Sequence, residues 1–197
     1  MATKLFSLRA GTSGADLARF FEINRKTGQR MNRILRRMTF SLCPKTLSGP
    51  SEWDESVPIR LQWIVGGVSR ETAQCLLVPV QERSERTLIP LVERHTDQDS
   101  LIFTDEWGGY NGLLNHWTVC HAREFVNNQA RFVHTNTIEG VWGHLKPLGW
   151  HVYRGFPRST LSEFLSEFMF RRNVRCYRTR VSVLSALLSR KTHTLLV

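Results

Sequence analysis

Three carboxylates, Asp54, Asp105 and Glu139, stand where a chain rarely places them without a use. Asp54 lies in Glu52-Trp53-Asp54-Glu55-Ser56, just ahead of a run of β-branched residues. Asp105 closes the apolar stretch Ser100-Leu101-Ile102-Phe103-Thr104-Asp105. Glu139 sits at the edge of a stripe made by Ile138, Val141, Trp142 and Leu145, whose i, i+3, i+4, i+7 spacing is that of a helix facing a core. Carboxylates gathered from two strands and a helix are the donor set that two-metal phosphoryl transfer needs. Hard Mg²⁺ takes oxygen ligands and keeps exchangeable waters. One ion activates a water or a 3′-hydroxyl, and the other steadies the leaving oxygen. Taken singly, each residue also has a plain structural use: Asp54 as a turn cap, Asp105 as a strand end, Glu139 as a solvated helix residue.

The elements that must position them follow from periodicity. Gln62–Val68 and Gln74–Val80 are β-branched-rich runs separated by Ser69-Arg70-Glu71-Thr72, and they predict a hairpin. Gly66-Gly67 is a strand feature rather than a phosphate loop, because no Gly-Lys-Ser/Thr follows. Thr87–His95 has helical spacing with Pro90 in its first turn, where proline is tolerated. The strand ending at Asp105 is followed by another short strand, Trp117–His121, and by a helix from near Thr135. This order gives an α/β fold with a mixed sheet. Asn136 could stand in as a third ligand but suits a helix cap better, and His121 and His134 lack the paired spacing of metal ligands. Trp107 and Trp142 suit buried packing better than base stacking. A last stripe, Leu161, Phe164, Leu165, Phe168 and Met169, predicts a helix packed on the sheet.

Ahead of the sheet, Ala15–Met38 carries two helical blocks, Leu17, Phe20, Phe21, Ile23 and then Met31, Ile34, Leu35, Met38. Ser13 can cap the first and Asn24 suits the turn between them. The second block bears Lys26, Arg30, Arg33, Arg36 and Arg37, which outlines a helix-turn-helix with cations aimed at phosphates. Ser48-Gly49-Pro50-Ser51 is the best linker, so residues 1–47 are expected to form a DNA-binding region and 48–197 the domain with the carboxylates.

The chain has 27 Lys+Arg against 17 Asp+Glu, a formal net charge of +10, and the excess is uneven. Residues 1–50 hold ten basic and two acidic side chains, residues 51–105 five and ten, and residues 106–197 twelve and five. Two basic flanks around an acidic centre fit a polyanion gripped on both sides of a site that needs carboxylates. The cluster Arg171, Arg172, Arg175, Arg178, Arg180 is a candidate backbone clamp. The 41% hydrophobic content argues against global disorder. No apolar run approaches the roughly 18 residues of a membrane span, and the first residues lack a signal-peptide core, so a soluble intracellular chain is expected. Four scattered cysteines without a Cys-x-x-Cys pair argue against a structural zinc site or disulfide scaffold.

The words around these residues resemble a known family. Thr104–Leu113, with its Asp-Glu-Trp-Gly-Gly-Tyr, His134–Trp142, Leu145-Lys146 and Glu167–Asn173 are similar to the catalytic core of insertion-sequence DDE transposases of the group that includes the eukaryotic Merlin elements. Asp54-Glu55-Ser56 with Trp63–Val68 and Leu77–Val80 is similar to that family's first catalytic block. The resemblance covers roughly residues 8–175. It implies an RNase H-like mixed sheet flanked by helices, with a small N-terminal helix-turn-helix. It implies Asp54, Asp105 and Glu139 as the catalytic and metal-binding triad, with Mg²⁺ as cofactor and Mn²⁺ as substitute. Lys146 matches the basic residue that follows the family's glutamate and contacts DNA. Lys26, Arg30, Arg33, Arg171 and Arg172 complete the expected DNA contacts. The implied partners are double-stranded DNA, both element ends and target, and further copies of the chain, in a compartment that holds DNA. Eight residues between Asp54 and Trp63 and 33 between Asp105 and Glu139 are fewer than the family usually has. A decayed or domesticated DNA-binding relative, and a helix-turn-helix regulator without catalysis, are compatible with the same residues.

Overall fold

The protein is described here by a computed structural model, which defines residues 12–59, 62–119, 133–149, 158–174 and 182–183. Two compact units divide the chain: residues 44–165, and residues 1–43 together with 166–197.

In the helical unit, α1 (Gly14–Phe20) and α2 (Arg25–Phe40) are the pair expected from the periodicity. Ser13 closes a capping box with Asp16, and the Asn24 side chain accepts from the Lys26 amide at 2.8 Å, so both starts lie where the polar residues put them. Gly28 costs α2 about 1 kcal/mol relative to alanine, and its use is plain. A Cβ there would collide with the Gly14 carbonyl oxygen of α1, so the two glycines set a close crossing.

Among the described residues, the other unit is built on five strands and two α-helices, with the start of a third. In chain order these are β1 (Ser51–Ile59), β2 (Gln62–Ser69), β3 (Cys75–Val80), α3 (Glu85–His95), β4 (Ile102–Asp105), β5 (His116–Val119) and α4 (Asn136–Pro147). The sheet order is β3-β2-β1-β4-β5. β1–β2 and β2–β3 are antiparallel, whereas β1–β4 and β4–β5 are parallel. A mixed sheet in this order with flanking helices is the expected RNase H-like arrangement.

The hairpin, the strand ending at Asp105 and the helix from Thr135 lie as the periodicity placed them. Three details differ. β1 is a nine-residue strand at the centre of the sheet; Asp54 was expected on a strand, but its polar run just ahead of the hairpin carries no periodicity that marks these bounds. The first helix of this unit starts at Glu85, which moves Pro90 into its interior. The last helix, α5 (Leu161–Asn173), is helical as expected, yet its second half belongs to the helical unit. There Phe170 packs with Leu17 and Leu35 rather than on the sheet. Cys120, His121, Arg175, Arg178 and Arg180 lie outside the described residues.

Candidate active site

β1 distributes its acidic residues over two faces. Successive side chains of a strand alternate, so Glu52 and Asp54 turn towards α4 while Glu55 turns the other way. Glu52 is fully buried. Its carboxylate accepts from the Thr137 and Ile138 amides at 2.8 and 3.0 Å and from the Thr137 hydroxyl at 2.9 Å, and it pairs with Arg70 Nε at 2.8 Å. It thereby caps the first turn of α4, whose own Thr135 makes no side-chain cap. Capping by Asn136 is replaced by a carboxylate from across the sheet. His134 is part of the same cluster: its Nδ1 lies 3.2 Å from Glu52 Oε1, at ion-pair distance though without hydrogen-bond geometry.

Asp54 has a different neighbour. Its Oδ2 accepts the Trp142 indole N–H at 2.8 Å. The indole reaches it by lying over Gly66, the residue opposite Asp54 in β2; a Cβ on Gly66 would come within 2.7 Å of the ring. Gly67 does the same for Trp53 on the opposite face. Gly66-Gly67 is therefore a strand thinned to admit two indoles, which is why the pair interrupts a β-branched run.

The parallel register Glu52↔Phe103, carried on by two residues, sets Asp54 level with Asp105 at the end of β4. Asp105 Oδ1 accepts the Trp107 amide at 3.0 Å. Burial pushes the Asp54 carboxyl up to about 7 against the Trp142 hydrogen bond, and the negative charge of Asp105 raises it further. Glu55, on the other face, accepts from Tyr110 Oη at 2.7 Å and pairs with Arg83 at 3.0 Å. Burial raises its carboxyl too, and those two partners oppose the rise. Among the described residues, Glu52 and Glu55 each have an arginine, whereas no cation pairs with Asp54 or Asp105.

Glu139 occupies the first turn of α4, half-buried at the edge of the buried stripe Ile138, Val141, Trp142 and Leu145. Thr135 Oγ1 donates to it at 3.3 Å. The helix brings it three residues before Trp142, the residue that touches Asp54. No group of three carboxylate, histidine or cysteine side chains that could hold one metal ion occurs among the described residues. Two neighbouring carboxylates without a cationic partner nevertheless fit a hard divalent cation, which would offset the burial and repulsion that raise the Asp54 carboxyl. Lys146 is exposed on the same helix.

The expected DNA contacts fall into two environments. Lys26, Arg30 and Arg33 are exposed on α2 and, with Gln29, Ile34 and Arg37, line a groove of about 530 Å³. Arg36, from the same run, is buried and pairs with Glu167 at 2.8 Å. Arg171 pairs with the other oxygen of Glu167 at 2.8 Å, and Arg172 is half-buried beside it. Trp142 is buried as expected, but Trp107 is 38% exposed.

The model of the ISXO2-like transposase domain matches residues 60–173, more than half of the chain. The chain belongs to this DDE transposase family. The match contains Asp105, Glu139 and Lys146 and begins six residues after Asp54. An uncharacterized transposase-like protein of Haemophilus influenzae is 26% identical over 116 residues, which span 56% of this chain and 89% of that protein. The resemblance read from the sequence is borne out at the level of the family. Among the described residues no helix is long and apolar enough to cross a membrane.

Sequence reasoning singled out Asp54 and Asp105 but passed over Glu52, Arg70, Glu55, Arg83 and Tyr110. One signal was available for Glu52: it stands two residues before Asp54, and the period of a strand puts both on one face.

Proposed function

We propose that this transposase-family domain cleaves DNA at the ends of a mobile element and joins them to target DNA, with Asp54, Asp105 and Glu139 as the metal-binding triad. The observation that carries the reading is the Asp54–Asp105 pair: two adjacent carboxylates, one largely buried, without a cation among the described residues. Mg²⁺, or Mn²⁺ in its place, would supply Lewis-acid activation of the attacking oxygen and charge relief at the leaving oxygen. Asp54 on β1 and Asp105 at the end of the neighbouring β4 would supply the first two carboxylates, and Trp142 orients Asp54 through its indole N–H. Glu139 supplies the third carboxylate from the helix that Glu52 anchors. In the reaction, water displaces the 3′-oxygen at the element end; the freed 3′-hydroxyl then displaces an oxygen of a target phosphodiester, with no covalent enzyme intermediate.

DNA is held by charge. Lys26, Arg30 and Arg33 on α2 would contact phosphates in the helix-turn-helix region of residues 1–47, and Lys146 would contact DNA beside the triad, within a catalytic domain of residues 48–197. Arg171 and Arg172 would serve the same backbone from α5. The chain would act as a homo-oligomer, in the compartment that holds its DNA.

A second reading, a DNA-binding protein of the same fold without catalysis, is favoured by one observation: Glu139 does not complete a three-ligand group with Asp54 and Asp105. A cleavage and strand-transfer assay on oligonucleotides bearing the element's terminal repeats, with Mg²⁺ or Mn²⁺, separates the two. Activity abolished by Asp105→Ala supports the triad. Activity that survives it removes the triad assignment, and DNA binding without any cleavage selects the second reading.

A further inference from the structure

Beside the carboxylate pair stands an aromatic ring that is both exposed and fixed. Trp107 follows Asp105 by two residues and leaves 38% of its surface open. An exposed tryptophan is ordinarily free to turn, but this one is held three ways. Its amide donates to Asp105 Oδ1 at 3.0 Å, its indole N–H donates to the Arg83 carbonyl oxygen at 2.9 Å, and the Arg83 guanidinium lies 3.7 Å from the ring centroid. The same guanidinium lies 4.5 Å from the Trp63 ring and pairs with Glu55, the neighbour of Asp54. Gly109 lets the chain close on the indole: a Cβ there would come within 2.8 Å of Trp107 Nε1. The ring and its guanidinium are thus tied to both strands that carry the carboxylates.

We propose that Trp107, backed by Arg83, is a stacking ledge for a single unpaired nucleobase next to the scissile phosphate. This deepens the DNA-processing reading and rests on it. A rigid aromatic face loses little freedom when a base settles on it, and any base offers a π-face, so the ledge selects for an unpaired base rather than for a sequence. Bases inside a duplex have both faces covered by their neighbours. A ring standing at a strand end meets an open face only where the duplex has frayed or been opened, which is where a terminal phosphodiester is cut. The cation behind the indole holds the ring in place by its attraction for the electron-rich face.

The test is a binding measurement that needs no catalysis. The full chain is titrated, with Ca²⁺ in place of Mg²⁺, into two duplexes of one sequence: one fully paired, the other with an unpaired end that carries 2-aminopurine. The chain is expected to prefer the frayed duplex and to quench the 2-aminopurine emission. Trp107→Ala should remove the quenching and roughly 5- to 150-fold of the preference, the span found for one base–aromatic stack. Trp107→Phe should keep most of both, and affinity for the paired duplex should stay unchanged in each variant. Should Trp107→Ala fail to fold, Trp107→Leu keeps the apolar bulk without the π-face and is expected to behave as the alanine variant would. Equal quenching and preference in the variant and the parent would overturn the ledge, as would a parent that binds both duplexes alike. A chain that binds neither duplex overturns the DNA-binding reading itself.

Discussion

Replacing Glu52 by alanine should be among the most damaging single changes in the sheet, although Glu52 is expected to touch neither metal nor DNA. The side chain is fully buried and its two oxygens serve Arg70, the Thr137 and Ile138 amides and the Thr137 hydroxyl. Alanine removes one partner of a buried ion pair, a change that costs about 3–5 kcal/mol because the remaining charge stays desolvated. It also exposes two amides at the start of α4, and losing a helix cap costs about 0.5–2 kcal/mol. The two losses share one carboxylate and do not add in full, so about 3–5 kcal/mol is expected, against a total stability of about 5–15 kcal/mol for an ordinary domain. Glu52→Gln keeps an acceptor without the charge and should cost about 1–3 kcal/mol. Equilibrium urea unfolding measures both, with the m-value checking that the unfolded state is unchanged. Because α4 also carries Glu139 and Trp142, Glu52→Gln should lower cleavage at a temperature where it remains folded. A loss below about 1 kcal/mol for Glu52→Ala would refute the clamp, since that is the ordinary worth of a helix cap with no buried ion pair beside it.

Three further outcomes are expected. Asp54 titrates near 7 in the folded chain, above its usual 3.8, so its contribution to stability is full below pH 4 and disappears as pH rises through 7. The melting temperature of Asp54→Asn should therefore gain on the parent's between pH 5 and 8, and Mg²⁺ should raise the parent's melting temperature more at pH 8 than at pH 5.5; a pH-independent difference would contradict the assignment. Replacing Lys26, Arg30 and Arg33 together by alanine should flatten the plot of log affinity against log salt by about three, at roughly 0.9 for each phosphate no longer neutralised, and an unchanged slope would show that this face of α2 does not meet the backbone. Gly66→Ala would push a Cβ to within 2.7 Å of Trp142, an overpacking worth about 1–3 kcal/mol in urea unfolding, and stability equal to the parent's would show that the indole can move aside.

The parts of the fold that were legible in the sequence are those whose side chains follow one periodicity. The helix bearing Glu139 and the capped pair α1 and α2 show their pattern because one face of each meets apolar neighbours, and β2 shows as a continuous β-branched run because both of its faces are covered. β1 did not show it. Its Ser51-Glu52-Trp53-Asp54-Glu55-Ser56 reads as polar because its partners are an arginine, a helix N-terminus, an indole N–H and a tyrosine hydroxyl, all supplied from distant parts of the chain. The second half of α5 shows the converse: its apolar stripe is equally suited to a sheet or to other helices, and periodicity does not say which. Arg36 was assigned to the basic face because cations recur every three or four residues along α2; Glu167, 131 positions away, draws it inside.

The buried acids of β1 explain why one of them is suited to chemistry. A buried carboxylate must be neutralised by a cation, by hydrogen bonds or by a proton. Glu52 meets Arg70 and a helix start, and Glu55 meets Arg83 and Tyr110; both are satisfied, and both hold strands and helices in place. Asp54 receives the Trp142 indole N–H and the Glu55 amide but no cation, and it has Asp105 for a neighbour, so burial leaves it holding its proton up to about pH 7. A proton is exchangeable for a metal ion, whereas an arginine packed into the structure is not. The acidic centre of a basic chain thus divides into carboxylates that build the sheet and a pair left open to a cation.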